Sequence, residues 1–161
     1  MDQDQIAKLW SMMKSTKFAM LTTDDGTHLR ARPMAASQKD FDGTLWFFTR
    51  ESAPKVAEVQ AEHRVGVTYA DPSGQNYVSL SGTATLVRDR AEIDAHWSDV
   101  LTTWFPKGKD DPEVALLRVT VTEAEYWDAP NSKMVHAYGY LKAKLTGAAP
   151  QAGENEKVHL S

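Results

Sequence analysis

The chain contains no cysteine. Disulfides, thiolate metal sites and cysteine nucleophiles are thereby excluded. No apolar run approaches the ~18 residues that a membrane span requires. The opening MDQDQIAKLW is acidic and polar, which predicts no secretory signal. A reducing, cytoplasmic setting agrees with both features. An excess of basic charge is also missing. The chain carries 18 Lys and Arg against 22 Asp and Glu, for a net charge of −4. That balance argues against a general nucleic-acid binder, which needs a basic footprint for phosphates. Phosphate-loop, dinucleotide-fold glycine, nucleophile-elbow and zincin patterns are all absent. The histidines, His28, His63, His96, His136 and His159, are scattered without ligand spacing, so no metal site is expected.

What is present fits one globular domain. The 161 residues are 42% hydrophobic and 25% charged, both ordinary values. Ile6, Leu9, Trp10 and Met13 recur at helical spacing and predict a helix over 3–14. FAMLTT, the turn DDGT and HLRARPM read as a hairpin over 18–34. LWFFT (45–49) is a strong strand. A short helix over 53–62 follows, with Ser52 as its expected N-cap. VGVTYA (65–70) and YVSLSGTATLV (77–87) are strands joined by a DPSGQ turn. A helix is expected from about Arg90 to Leu101, and a long strand over 114–127. MVHAYGYLKAKL (134–145) alternates like a further strand. After Gly147 the apolar content falls, predicting a flexible tail over 148–161 beside a domain over 1–147. Six or seven strands in hairpin order, with about three helices, favour a mainly β fold: a small closed or split antiparallel barrel.

Two segments carry possible chemistry. In Arg30-Ala31-Arg32-Pro33-Met34 alternate residues share a strand face. Arg30 and Arg32 therefore lie side by side and require carboxylates, solvent or an anionic ligand. Pro33 removes a ladder donor, which marks an edge or a bulge. In Phe47-Phe48-Thr49-Arg50-Glu51-Ser52-Ala53-Pro54-Lys55 a strand gives way to a helix N-terminus. Free amides, the hydroxyls of Thr49 and Ser52, and the charge of Lys55 make a plausible phosphate cradle. Taken singly, the first segment reads as a solvated strand face and the second as ordinary helix capping. Together they describe a phosphate and a flat ligand lying along a strand.

In order and spacing these segments resemble the pyridoxamine 5′-phosphate oxidase-like superfamily of flavin-binding split barrels, and within it the general stress protein 26 type. The resemblance spans about residues 3–147. It rests on the opening helix, the FAMLTT…HLRARPM hairpin, LWFFT with Ser52 and Lys55, the YVSLSGTATLV strand and EYWDAP. It implies a homodimer with FMN at the interface and a small-molecule redox partner. FAD or a deazaflavin are variants of the same scheme. Carried over, Arg30 or Arg32 pairs with the phosphate, together with Ser52 and Lys55. Backbone around Arg32, Pro33 and Met34 faces the isoalloxazine, and Phe48 and Thr49 line the ring or ribityl side. Trp104 and Trp127 are candidates to close the site from the second subunit.

The departures from the family pattern are informative. The oxidases proper carry a basic pair directly after the serine, whereas Ser52 is followed by Ala53-Pro54-Lys55. Their glutamine near the start of the long strand is matched only by Gln75 and Asn76, slightly early, with Tyr77 nearer. Their terminal Arg and His segment has no counterpart after Trp127, His136 alone being insufficient. The expectation is FMN binding without efficient pyridoxamine phosphate oxidation. A non-catalytic flavin sensor or store is the alternative. A flavin-free barrel binding single-stranded nucleic acid through Phe47, Phe48, Arg30 and Arg32 is disfavoured by the acidic balance.

Overall fold

The computed structural model describes residues 3–128 and 154–160. Helix α1 (Gln3–Lys14) opens the chain and buries Leu9, Met12 and Met13. Strands β1 (Ala19–Asp24) and β2 (Leu29–Met34) form the expected hairpin, pairing Ala19 with Met34 and Asp24 with Leu29. Its turn is fixed by two carboxylates and a glycine. The Asp24 carboxylate accepts from the Gly26 amide, and that of Asp25 accepts from the Thr27 and His28 amides. Gly26 takes a φ of +92°, a conformation that costs an L side chain.

Strand β3 (Thr44–Arg50) leads into helix α2 (Pro54–Ala61). Strands β4 (Arg64–Asp71) and β5 (Asn76–Val87) follow, then helix α3 (Arg90–His96), a 3₁₀ turn over Asp99–Thr103, and β6 (Val114–Asp128). Hydrogen-bonded neighbours run β2-β1-β4-β5-β6-β3, and every pairing is antiparallel. The end strands touch through a single bridge from Ala36, just past β2, to Phe47. The barrel is thus split rather than closed; the strand pattern leaves both open, and the family resemblance implies the split form. At the Ser81/Gly82 bulge the backbones crowd: a Cβ on Gly82 would lie 2.3 Å from the Thr120 carbonyl oxygen.

The main core lies inside the split barrel, where Leu9, Met13, Leu21, Phe47, Val67, Leu80 and Leu117 are almost wholly buried. A second cluster of Phe48, Leu116 and Val114 packs with Ile93 and Phe105 on the other side of β3 and β6. The consecutive residues Phe47 and Phe48 therefore serve opposite faces of one strand. No helix among the described residues is long and apolar enough to cross a membrane.

Three boundaries differ from expectation. The N-cap of α2 is Ala53, not Ser52, and it makes no side-chain cap bond. Pro54 takes the first helical position, where its fixed φ and missing N–H are tolerated, so the cap falls one residue later. Helix α3 ends at His96 because Trp97 turns extended and packs edge-on against Phe48. Finally, Glu154–His159, inside the span expected to be a flexible tail, forms β7 along the C-terminal half of β6. That half is left free because β3 pairs only with the first half. Val158 enters the core at 3% exposure. The predicted strand over 134–145 and the boundary at Gly147 lie outside the described residues.

Val158→Ala removes two buried methyl groups. It is expected to lower stability by about 1.5 kcal/mol, read as a lower melting temperature. An unchanged melting temperature would return the segment to a tail.

Candidate functional site

Alternation on β2 puts Arg30, Arg32 and buried Met34 on the barrel-facing side, and Leu29, Ala31 and Pro33 on the outward side. β2 is an end strand, and its outer edge has no strand partner among the described residues. The Arg32 guanidinium is held firmly. Nη2 donates to Glu58 Oε2 at 2.7 Å, while Nη1 donates to Thr23 Oγ1 and to the Leu21 carbonyl. Thr23 in turn donates its hydroxyl to Glu58, and both residues are buried, at 1% and 9% exposure. The Thr23 hydrogen bond holds the Glu58 carboxyl below its ordinary range, with the Arg32 charge assisting and burial opposing.

Lys55 sits in the first turn of α2, three residues before Glu58. Among the described residues no carboxylate or hydrogen-bond acceptor pairs with its ammonium. Burial pulls Lys55 below the ordinary lysine range, Arg32 adds to this, and Glu58 pulls the other way. Arg30 is more open, with its side chain 58% exposed and, among the described residues, only a 4.0 Å contact to Asp25. Three cations thus gather around one carboxylate at the start of an uncapped helix. An anion placed there meets the unspent positive charge of Lys55 and Arg30 at the positive end of the helix. Pro54 has no N–H to offer, and the Val56 amide already donates to the Ala53 carbonyl.

The other predicted residues are distributed differently. Thr49 is buried, and its hydroxyl donates to the Arg50 carbonyl at 3.2 Å. The Phe48 ring is spent against Trp97 and Phe105, which leaves only its main chain for a ligand. The amide and hydroxyl of Ser52 both donate to Glu113 Oε2, at 3.3 and 2.5 Å. Trp104 is 52% exposed after the 3₁₀ turn, and its carbonyl accepts from Arg50. It borders a cavity of about 630 Å³ that Trp46, His96 and Trp97 also line. His96 is accounted for structurally: it stacks on Trp46, and its Nδ1 lies 2.9 Å from the Ser37 carbonyl oxygen.

Trp127 stands on β6 directly across from Tyr77, four strands from β2 along the sheet. The sheet folds back through the Ala36 bridge to Phe47, but β3 pairs β6 only from Val114 to Thr120, and Trp127 stands seven residues beyond that seam. It is 38% exposed, as is its cross-strand neighbour Tyr77 at 40%.

The structure therefore brings together Arg30, Arg32 and Lys55. It adds two residues that the sequence reading missed, Glu58 and Thr23. Glu58 left a trace, as the only acid in PKVAEVQA, one turn past Lys55, on a helix that follows two arginines needing a carboxylate. Glu113 left none, being brought to Ser52 from 61 residues away by the pairing of β3 with β6.

Comparison with known proteins agrees with the fold. The family described as pyridoxamine 5′-phosphate oxidase like matches residues 4–151. A candidate general stress protein 26 from Jannaschia sp. CCS1 is 29% identical, with a TM-score of 0.79, 98% of this chain covered and 99% of that one. A general stress FMN/FAD binding protein from Xanthomonas citri is 30% identical, with a TM-score of 0.72 and coverages of 81% and 93%. Protein bli-3 of Neurospora crassa is 31% identical over 133 residues, 76% of this chain. The match spans 64% of that longer protein.

Proposed function

The chain belongs to the pyridoxamine 5′-phosphate oxidase-like family, and from that premise we propose that it is a stress-related, FMN-binding oxidoreductase without efficient pyridoxamine phosphate oxidation. The observation that carries this reading is the half-buried ammonium of Lys55. It lies beside Arg32 in the first turn of an uncapped helix and has no carboxylate of its own among the described residues. A dianionic phosphate supplies the missing partner. Arg30 reaches the phosphate from the open side of β2. Arg32, already tied to Glu58 and Thr23, acts mainly by fixing the field and the strand. The free edge of β2 at Arg32, Pro33 and Met34 offers main-chain groups to the rim of a flat ring. The main chain at Phe48 and Thr49 faces the ribityl side.

When bound, the flavin supplies electron transfer between a reduced donor, such as a nicotinamide, and a small acceptor. The chain's own part is to bind, orient and shield. The adjoining exposed rings of Tyr77 and Trp127 on the outer side of β5 and β6 support a second copy of the chain as their cover. In that homodimer Trp127 serves the partner's site. The link to stress, and the preference for FMN with FAD as a variant, draw on the relatives named above.

The test is an absorbance spectrum of the purified protein with added FMN, followed by NADH or NADPH. Shifted flavin bands that bleach faster than free FMN are the expected result. Bound flavin without bleaching makes the protein a flavin store or sensor. Unshifted bands overturn the flavin reading altogether.

A further inference from the structure

Ser52 stands where the resemblance places a phosphate ligand, yet both of its donors are already used. Its amide and its hydroxyl converge on one oxygen of Glu113. The Glu113 carboxylate has no ion-pair partner among the described residues. Nearby cations are engaged elsewhere: Arg88 pairs with Glu51, and Arg50 lies 3.9 Å from Asp111. The position of Glu113 is imposed by the fold. Its carbonyl accepts from the Glu51 amide, and its amide donates to the Asp111 carboxylate, at the point where β6 begins to pair with β3. The side chain thus offers Ser52 an anion supplied from within the chain. A phosphate and a carboxylate cannot both occupy one pair of donors. A phosphate that reaches Ser52 must first expel Glu113 and then bear its repulsion at short range.

We infer that Glu113 is a built-in competitor for the cofactor phosphate at Ser52, and so sets how strongly this site prefers phosphorylated over unphosphorylated flavin. The inference rests on the flavin-binding reading above. It separates the site into two parts. Lys55 and Arg30 attract the phosphate, while Glu113 holds back the Ser52 donors and keeps the affinity low enough for exchange.

The experiment compares FMN and riboflavin titrations for wild type, E113Q, S52A and the E113Q/S52A double variant, with E113A as a second charge removal. Flavin fluorescence or absorbance gives each dissociation constant. Circular dichroism confirms that each variant is folded. E113Q is expected to tighten FMN about fivefold or more, consistent with freeing charge-assisted hydrogen bonds, and to leave riboflavin unchanged. In the S52A background the same change should give no gain. An equal gain for riboflavin, a gain that persists without the Ser52 hydroxyl, or unchanged or weaker FMN binding would each overturn the inference. Wild-type protein that binds neither flavin would overturn the flavin reading itself, and the inference with it.

Discussion

Glu58→Ala is expected to destabilise the protein by about 3 kcal/mol, the scale of breaking a buried ion pair from one side. The Arg32 side chain, 21% exposed, loses its anion, and the Thr23 hydroxyl loses its buried acceptor. The sign with pH follows from the lowered Glu58 carboxyl. A carboxyl whose folded pKa lies below its unfolded value of 4.5 stabilises fully above that value. The contribution disappears as pH falls through the folded pKa. Wild type should therefore lose stability in acid more steeply than Glu58→Gln, which has no charge there to lose. Urea midpoints at neutral and acidic pH measure both effects. Parallel losses in the two proteins would place the acid sensitivity elsewhere.

Lys55→Ala is expected to weaken FMN by about 10- to 100-fold, the value of a charge-assisted bond to phosphate. Riboflavin, which lacks the phosphate, should lose little. The fold should be undisturbed, because the Lys55 ammonium supports no ion pair among the described residues. Alanine also suits a helix interior. Calorimetric titration with the two flavins reads the contrast. Equal losses for both would move Lys55 from the phosphate to the ring or to folding.

Local signals carried most of the fold. Asp-Gly turns, the alternating LWFFT strand and the helical spacing of Leu9 and Met13 are decided within a few residues, and each appears in its expected place. The arginine pair was legible for the same reason, since a strand presents alternate residues together. The remainder depends on partners distant in sequence. Whether Phe47 or Phe48 faces the main core depends on the helix that covers the other side of β3. The bond between Ser52 and Glu113 exists only once β3 lies against β6. β7 looked like a tail because its residues are mostly polar. A buried valine, a free strand edge and the bonds from Tyr126 and Gln5 to Glu156 hold it. Pro54 fixes where the helix begins, which moves the cap from Ser52 to Ala53.

The central claim is that a phosphorylated flavin binds where Lys55 and Arg30 gather at the start of α2. Its most direct test is a visible difference-absorbance titration of the purified protein with FMN, run beside an identical titration with riboflavin. The account predicts saturable binding of both, with FMN bound more tightly, and an advantage that shrinks about 10- to 100-fold in Lys55→Ala. No saturable change with FMN, or an FMN advantage untouched by that substitution, would contradict it.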